Sequence, residues 1–208
     1  MGARVWCQNL KFKEKPMRLI LTAAAASLVL SACTSTPAPA PAPAPAATQS
    51  QVPTTSTARQ AMVNLASASG SLVSGKLTMM PMADGVHVTG TVGGLPPNSV
   101  HGFHVHENGD CSAADASSAG GHFNPFGTPH GKVGSGAHHA GDADNITANA
   151  EGVAAVNAHL RGVTLGGGAT NDITNRAVVV HAKPDDYTSQ PSGDAGARVA
   201  CGLIKTGM

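Results

Sequence analysis

The segment His104-Val105-His106, followed by His122, His130, His139, Asp142 and His181, constrains this chain more than any other feature. In an extended strand, residues two apart project from the same face. His104 and His106 therefore offer imidazoles side by side, while Phe103 and Val105 turn the other way, into a core. Histidine is the commonest protein metal ligand and suits both copper and zinc, and an aspartate added to three histidines suits zinc in a closed four-coordinate site. The set supplies donors for two metal ions of different preference, which points to a binuclear redox site.

Composition narrows the fold that can carry these donors. Aromatic residues make up only 3% of the 208 residues, whereas glycine alone numbers 25. The core must then be built from small and β-branched side chains packed between strands. Strand patterns recur at 61–66, 72–80, 86–92 and 100–106, punctuated by Gly70, Asp84-Gly85 and Gly93-Gly94. Further strands are expected at 149–160, with a turn at Glu151-Gly152, at 177–181 and at 198–204. No long amphipathic helix stands out, so the expected fold is all-β, an eight-stranded antiparallel Greek-key barrel or sandwich. Residues 108–145 and 183–197 exceed ordinary connection lengths, and loops of that size are usually functional. They carry or flank the candidate ligands.

The N-terminal quarter does not read as foldable. Residues 1–33 resemble a lipoprotein-type export signal, with a basic stretch ending at Arg18 and an apolar run over 19–30 that is too short to span a bilayer. Met17 is the expected true start. Leu30-Ser31-Ala32-Cys33 resembles the bacterial lipobox, whose cysteine is lipidated and becomes the new N-terminus. The alternative is an ordinary signal peptide cleaved near Ala32, and either reading exports the protein. Residues 34–58 form a Pro/Ala-rich tether with prolines at 37, 39, 41, 43 and 45, extended in polyproline II fashion to at most about 70 Å. One domain, 59–208, remains. Without Arg4, Lys11, Lys13, Lys15, Arg18 and Glu14, eight basic and eleven acidic residues are left, a net charge of −3. That leaves no basic footprint for nucleic acid.

The run His101-Gly102-Phe103-His104-Val105-His106-Glu107 with Gly109-Asp110-Cys111, and then Ala119-Gly120-Gly121-His122-Phe123-Asn124-Pro125, closely resembles copper/zinc superoxide dismutase. His139-Ala140-Gly141-Asp142, Val180-His181-Ala182-Lys183 with Asp185-Asp186, and Gly196-Ala197-Arg198-Val199-Ala200-Cys201-Gly202 follow in the same order. The resemblance spans 61–204 and is strongest to the periplasmic, bacterial branch. It implies one copper ion held by His104, His106, His122 and His181, and one zinc ion held by His122, His130, His139 and Asp142. His122 would bridge them as an imidazolate. Asp185 would link a copper histidine to a zinc histidine, His104 to His130. Gly141 would let the zinc loop turn tightly, and Cys111 and Cys201 would form a disulfide.

The implied reaction is disproportionation of superoxide to dioxygen and hydrogen peroxide, with His122 relaying a proton and Arg198 orienting the anion. Lys183 and Lys132 are candidates for a local positive funnel. The alternative function is a non-catalytic copper- and zinc-binding envelope lipoprotein. The expected location is the periplasm, with membrane contact only through a lipid on Cys33, in the outer membrane because Thr34 rather than aspartate follows it. Both a homodimer and a monomer stay open. Among the other histidines, His101 is expected to be structural. His87 and His159 have no ligand-like neighbours in sequence and are expected to take surface or strand roles, and the His-x-Gly-Asp register favours His139 over His138.

Overall fold

The computed structural model describes residues 55–207. The expected export signal, with Cys33, and most of the expected tether lie outside the described residues. The strands are β1 (Ala61–Ser67), β2 (Ser74–Met82), β3 (Gly85–Gly93), β4 (Val100–His101), β5 (Phe103–His106), β6 (Ile146–Thr147), β7 (Ala154–Arg161), β8 (Ala177–His181), β9 (Arg198–Leu203) and β10 (Lys205–Thr206). Among the described residues the one helical element is a 3-10 turn at Ser117–Ala119.

β1 to β3 form an antiparallel meander, and crossover connections then place β7 beside β3, β9 beside β1, and β8 between β9 and β5. With β10 on β1, eight strands make one curled sheet, whose ladder stays open between β5 and β7. A separate pair, β4 and β6, completes the fold. The expected strand over 100–106 is broken at Gly102. There the backbone leaves its ladder to donate to Lys183 O at 2.8 Å and accept from His181 N at 2.9 Å, and a Cβ would meet the Ala195 methyl at 2.9 Å. The expected strand over 149–160 begins only at Ala154, after the turn.

Alternation sorts side chains as a half-buried strand requires. Phe103 and Val105 of β5 and Val178 and Val180 of β8 enter the main core with Val63, Leu77 and Leu160. The opposite face of β8 places Ala177 and Val179 with Ala116, Ala119 and Cys201, beneath the disulfide-tied loop. At β9 the register shifts. Val180 pairs with Ala200 but His181 pairs with Arg198, so Val199 is an inserted bulge residue. Regular alternation would turn Arg198 to the side of Ala200, the core side. The bulge puts it opposite His181 instead.

Candidate metal centre

β5 is an edge strand, and its open edge is covered by the long loop. Phe123 N donates to Val105 O at 2.8 Å, Val105 N to Gly141 O at 2.8 Å, and Gly141 N to Phe123 O at 2.8 Å. His106 and His122 form an isolated bridge. The loop therefore lays His122 against the same face of β5 that carries His104 and His106. Gly141 earns its place differently from expectation. Its φ is not positive, so it does not relieve a tight turn; instead a Cβ there would sit 2.1 Å from Val105 O. Close backbone approach is what requires glycine.

Two groups of potential ligands result, His104, His106, His122 and His181, and His122, His130, His139 and Asp142, with the ligand atoms of each group within 4.8 Å of one another. All seven residues are buried. Tautomers follow from the hydrogen bonds. His104 gives Nε2–H to Asp185 Oδ2 at 2.8 Å, His106 gives Nδ1–H to Gly120 O at 2.9 Å, and His181 gives Nδ1–H to Gly196 O at 3.2 Å. The lone pairs left over are on His104 Nδ1, His106 Nε2 and His181 Nε2. The last two face each other at 3.3 Å, with no proton to share between them. His104 Nδ1 and His122 Nε2 are buried without a hydrogen-bond partner.

In the second group, the Nδ1 atoms of His122, His130 and His139 converge on Asp142 Oδ1 at 2.8, 2.9 and 3.4 Å. The His139 contact lacks hydrogen-bond alignment. Asp142 Oδ2 is occupied by the backbone N–H groups of His139, at 2.8 Å, and Gly131, at 3.1 Å. Orphaned and opposed lone pairs inside a buried nest are costly unless a cation satisfies them. Both donor sets fit a metal ion, the first all-imidazole and the second three imidazoles with one carboxylate.

Electrostatics agree. Burial drives His106 down to about 2 and His181 to about 3 from the ordinary 6.5, so both stay neutral lone-pair donors. Burial lowers His122 to about 4 despite the Asp142 carboxylate beside it. Burial also opposes charge on His130, but the Asp142 and Asp185 carboxylates prevail and raise it to about 9. Burial pushes Asp142 and Asp185 upward, yet hydrogen bonds from histidines hold both well below the usual carboxylate range.

Asp185 spans the two groups, since its second oxygen lies 2.9 Å from His130 Nε2. It is held by a reciprocal pair with Asn145, whose side chain accepts from Asp185 N at 2.8 Å and donates to Asp185 O at 2.9 Å. Arg198 donates Nη1 to Ala116 O and Nη2 to Gly120 O, each at 2.6 Å. The Cys111–Cys201 disulfide ties that loop to β9. A cleft of about 370 Å³ opens onto His106, His122, His181 and Arg198, and also reaches His139. Lys132 and Lys183 are not in its lining. The Lys132 ammonium lies 5.2 Å over the Tyr187 ring, and Lys183 lies 3.9 Å from Asp194.

His101 sits outside both groups, bonded to Ser99 and to the carbonyl of His181. His138 turns its Nδ1 to its neighbour's carbonyl. Sequence reasoning missed Asn145 and Gln190. The Gln190 amide clamps both backbone groups of His130 at 2.9 Å. Neither residue carries a pattern that could have marked it.

A curled antiparallel sheet whose edge strand and loops assemble two histidine-rich groups, each able to hold a metal ion, around one shared imidazole defines an all-β protein of the metal-binding class. The family model for copper/zinc superoxide dismutase (SODC) matches residues 73–204, and the chain belongs to that family. It is 39% identical over 149 residues to superoxide dismutase [Cu-Zn] 2 of Aquifex aeolicus (strain VF5), covering 70% of this chain and 86% of that protein. Superoxide dismutase [Cu-Zn] 1 of the same organism is 41% identical over 134 residues, covering 63% and 79%. Among solved structures, a SOD-like protein from Bacillus subtilis superposes with a TM-score of 0.63 at 34% identity, covering 68% of this chain and 96% of that one. The clock protein EA4 superposes with a TM-score of 0.64 at 36% identity, covering 73% and 97%.

Proposed function

We propose that this protein dismutates superoxide, with copper in the all-histidine group, zinc in the group containing Asp142, and His122 serving both. One observation carries the reading: a single imidazole belongs to both groups and lines an open cleft together with a guanidinium. His104, His106, His122 and His181 would hold copper, which would supply reversible one-electron exchange, and His122, His130, His139 and Asp142 would hold zinc, which would supply fixed positive charge.

The protein's own groups do the rest. Arg198 keeps its cationic fork pointed by two carbonyl anchors and retains further N–H donors for a small anion. His122, which lines the cleft, has Nδ1 committed on the Asp142 side, so it gains and loses a proton at Nε2. Two superoxide anions and two protons give one dioxygen and one hydrogen peroxide, and His122 Nε2 delivers one of those protons while water delivers the other. Asp185 keeps His104 and His130 in the tautomers that leave each Nδ1 as the donor.

The same reading sets the domain in the periplasm on a lipid-anchored tether. The Leu30-Ser31-Ala32-Cys33 motif supports it, as does a disulfide that an oxidising compartment permits. Superoxide consumption by the purified protein, with copper and zinc counted on the same sample, tests the function. Near one copper and one zinc per chain, with turnover that collapses in His122→Ala, is the expected result. Both metals bound, with superoxide lost no faster than in buffer, would make a metal-binding envelope lipoprotein the better account.

A further inference from the structure

Two residues of the cleft lining are not held there by hydrogen bonds of their own. Pro191 and Ser192 line the cleft together with His122, His181 and Arg198. Proline has no N–H to donate, and neither Pro191 nor Ser192 makes a hydrogen bond to another described residue. Their place is therefore fixed from the two ends of the short segment they form. On the C-terminal side Gly193 is tied back into its own loop, donating to Ser189 O at 2.7 Å and accepting from Asp186 N at 2.9 Å. Asp186 closes the same loop from within, since its Oδ1 accepts from Thr188 N and Ser189 N at 2.8 Å each.

On the N-terminal side the tie is Gln190, and it leads out of the loop. Its Oε1 accepts from His130 N and its Nε2 donates to His130 O, both at 2.9 Å. A main-chain donor and a main-chain acceptor on one residue admit only this orientation of the amide. Among the described residues at the loop tip, 189–192, only Gln190 makes a hydrogen bond beyond its own loop. The post it grips is firm, because His130 is buried and its ring is held by Asp142 and Asp185 at 2.9 Å each. Gln190 itself is exposed, where water would satisfy a free amide, so burial does not force this pairing.

We propose that Gln190 is a positioning residue that sets which anions the cleft admits, by fastening Pro191 and Ser192 in its lining. The inference rests on the dismutase reading, in which a small anion passes these residues to reach Arg198 and the all-histidine group. A wall held in one place discriminates by clash, admitting a small anion and rejecting a bulky one. Released from His130, the tip keeps only ties within its own loop, and the wall yields to larger anions. Gln190 meets the main chain of His130 and not its ring, so its loss moves the wall more than it moves the ligand atoms.

The test titrates the copper- and zinc-loaded full chain with azide, a small anion, and with benzoate, a bulky one, following the copper(II) absorption band. Gln190→Ala removes both hydrogen bonds. Gln190→Glu keeps the acceptor for His130 N but sets a carboxylate oxygen against His130 O, and it carries the test should Gln190→Ala lose zinc on loading. Benzoate is expected to bind at least about tenfold more tightly in the variants than in the wild type, while azide affinity moves by less than about threefold. A merely structural role would shift both anions alike, and that result overturns the inference. An unchanged ratio of the two affinities in copper-loaded variants does so as well, and leaves the dismutase reading standing. Wild-type protein that takes up no copper would overturn that reading and this inference with it.

Discussion

Arg198 owes its orientation to Val199, the extra residue that shifts the β8–β9 register by one. Side-chain type alone would have marked it as a cation near the C-terminal strand, and parity would have sent it to the core. The resemblance to a known family, not the spacing, is what made it legible. His104 and His106 are the opposite case, because their two-residue spacing with Phe103 and Val105 between them was readable from alternation alone. If Arg198 steers and orients the anion, Arg198→Ala should lower kcat/KM by about 10- to 100-fold, and Arg198→Lys should restore part of it, since charge survives while the fork is lost. Rates measured across ionic strength should show the wild type losing more activity to salt than Arg198→Ala, because screening acts on a charge the variant no longer has.

The elements that shape the site are the two long loops, and their expected importance came from length. Their internal logic did not, because it rests on contacts between residues distant in the chain. Gly193 shows why. With φ of 68° it sits where a Cβ would lie 1.8 Å from Asp185 Oδ1 and 2.8 Å from His130 Nε2. Gly193→Ala should therefore displace the carboxylate that joins the two ligand groups and weaken zinc retention by about 10- to 100-fold, measurable by chelator competition. The disulfide acts on the other loop. Cys111 and Cys201 are separated by 90 residues, so Cys111→Ser with Cys201→Ser should cost about 4 to 5 kcal/mol in denaturant unfolding. It should also slow turnover even in metal-loaded protein, because Ala116 O and Gly120 O, which aim Arg198, ride on the freed loop.

At the scale of the whole molecule, the buried centre makes metal-free stability depend on pH with opposite signs on either side of neutrality. The folded state keeps His106, His122 and His181 deprotonated far below their ordinary 6.5, whereas the unfolded chain takes up those protons as pH falls through 6.5. Stability must then drop as the medium becomes more acid. His130, raised to about 9, contributes stability that is complete below 6.5 and is lost as pH rises toward 9. Thermal unfolding of the metal-free protein should thus peak near pH 6.5 and decline on both sides, and a midpoint that rises steadily with acid would contradict this balance.

The central claim is that His122 belongs to two different metal sites at once. Anomalous scattering from crystals of the metal-loaded protein, recorded at the copper and zinc edges, tests it most directly. Copper is expected among His104, His106, His122 and His181, zinc among His122, His130, His139 and Asp142, and the His122 ring touching both. A single ion in the whole cluster, or two ions with His122 bound to only one of them, would contradict it.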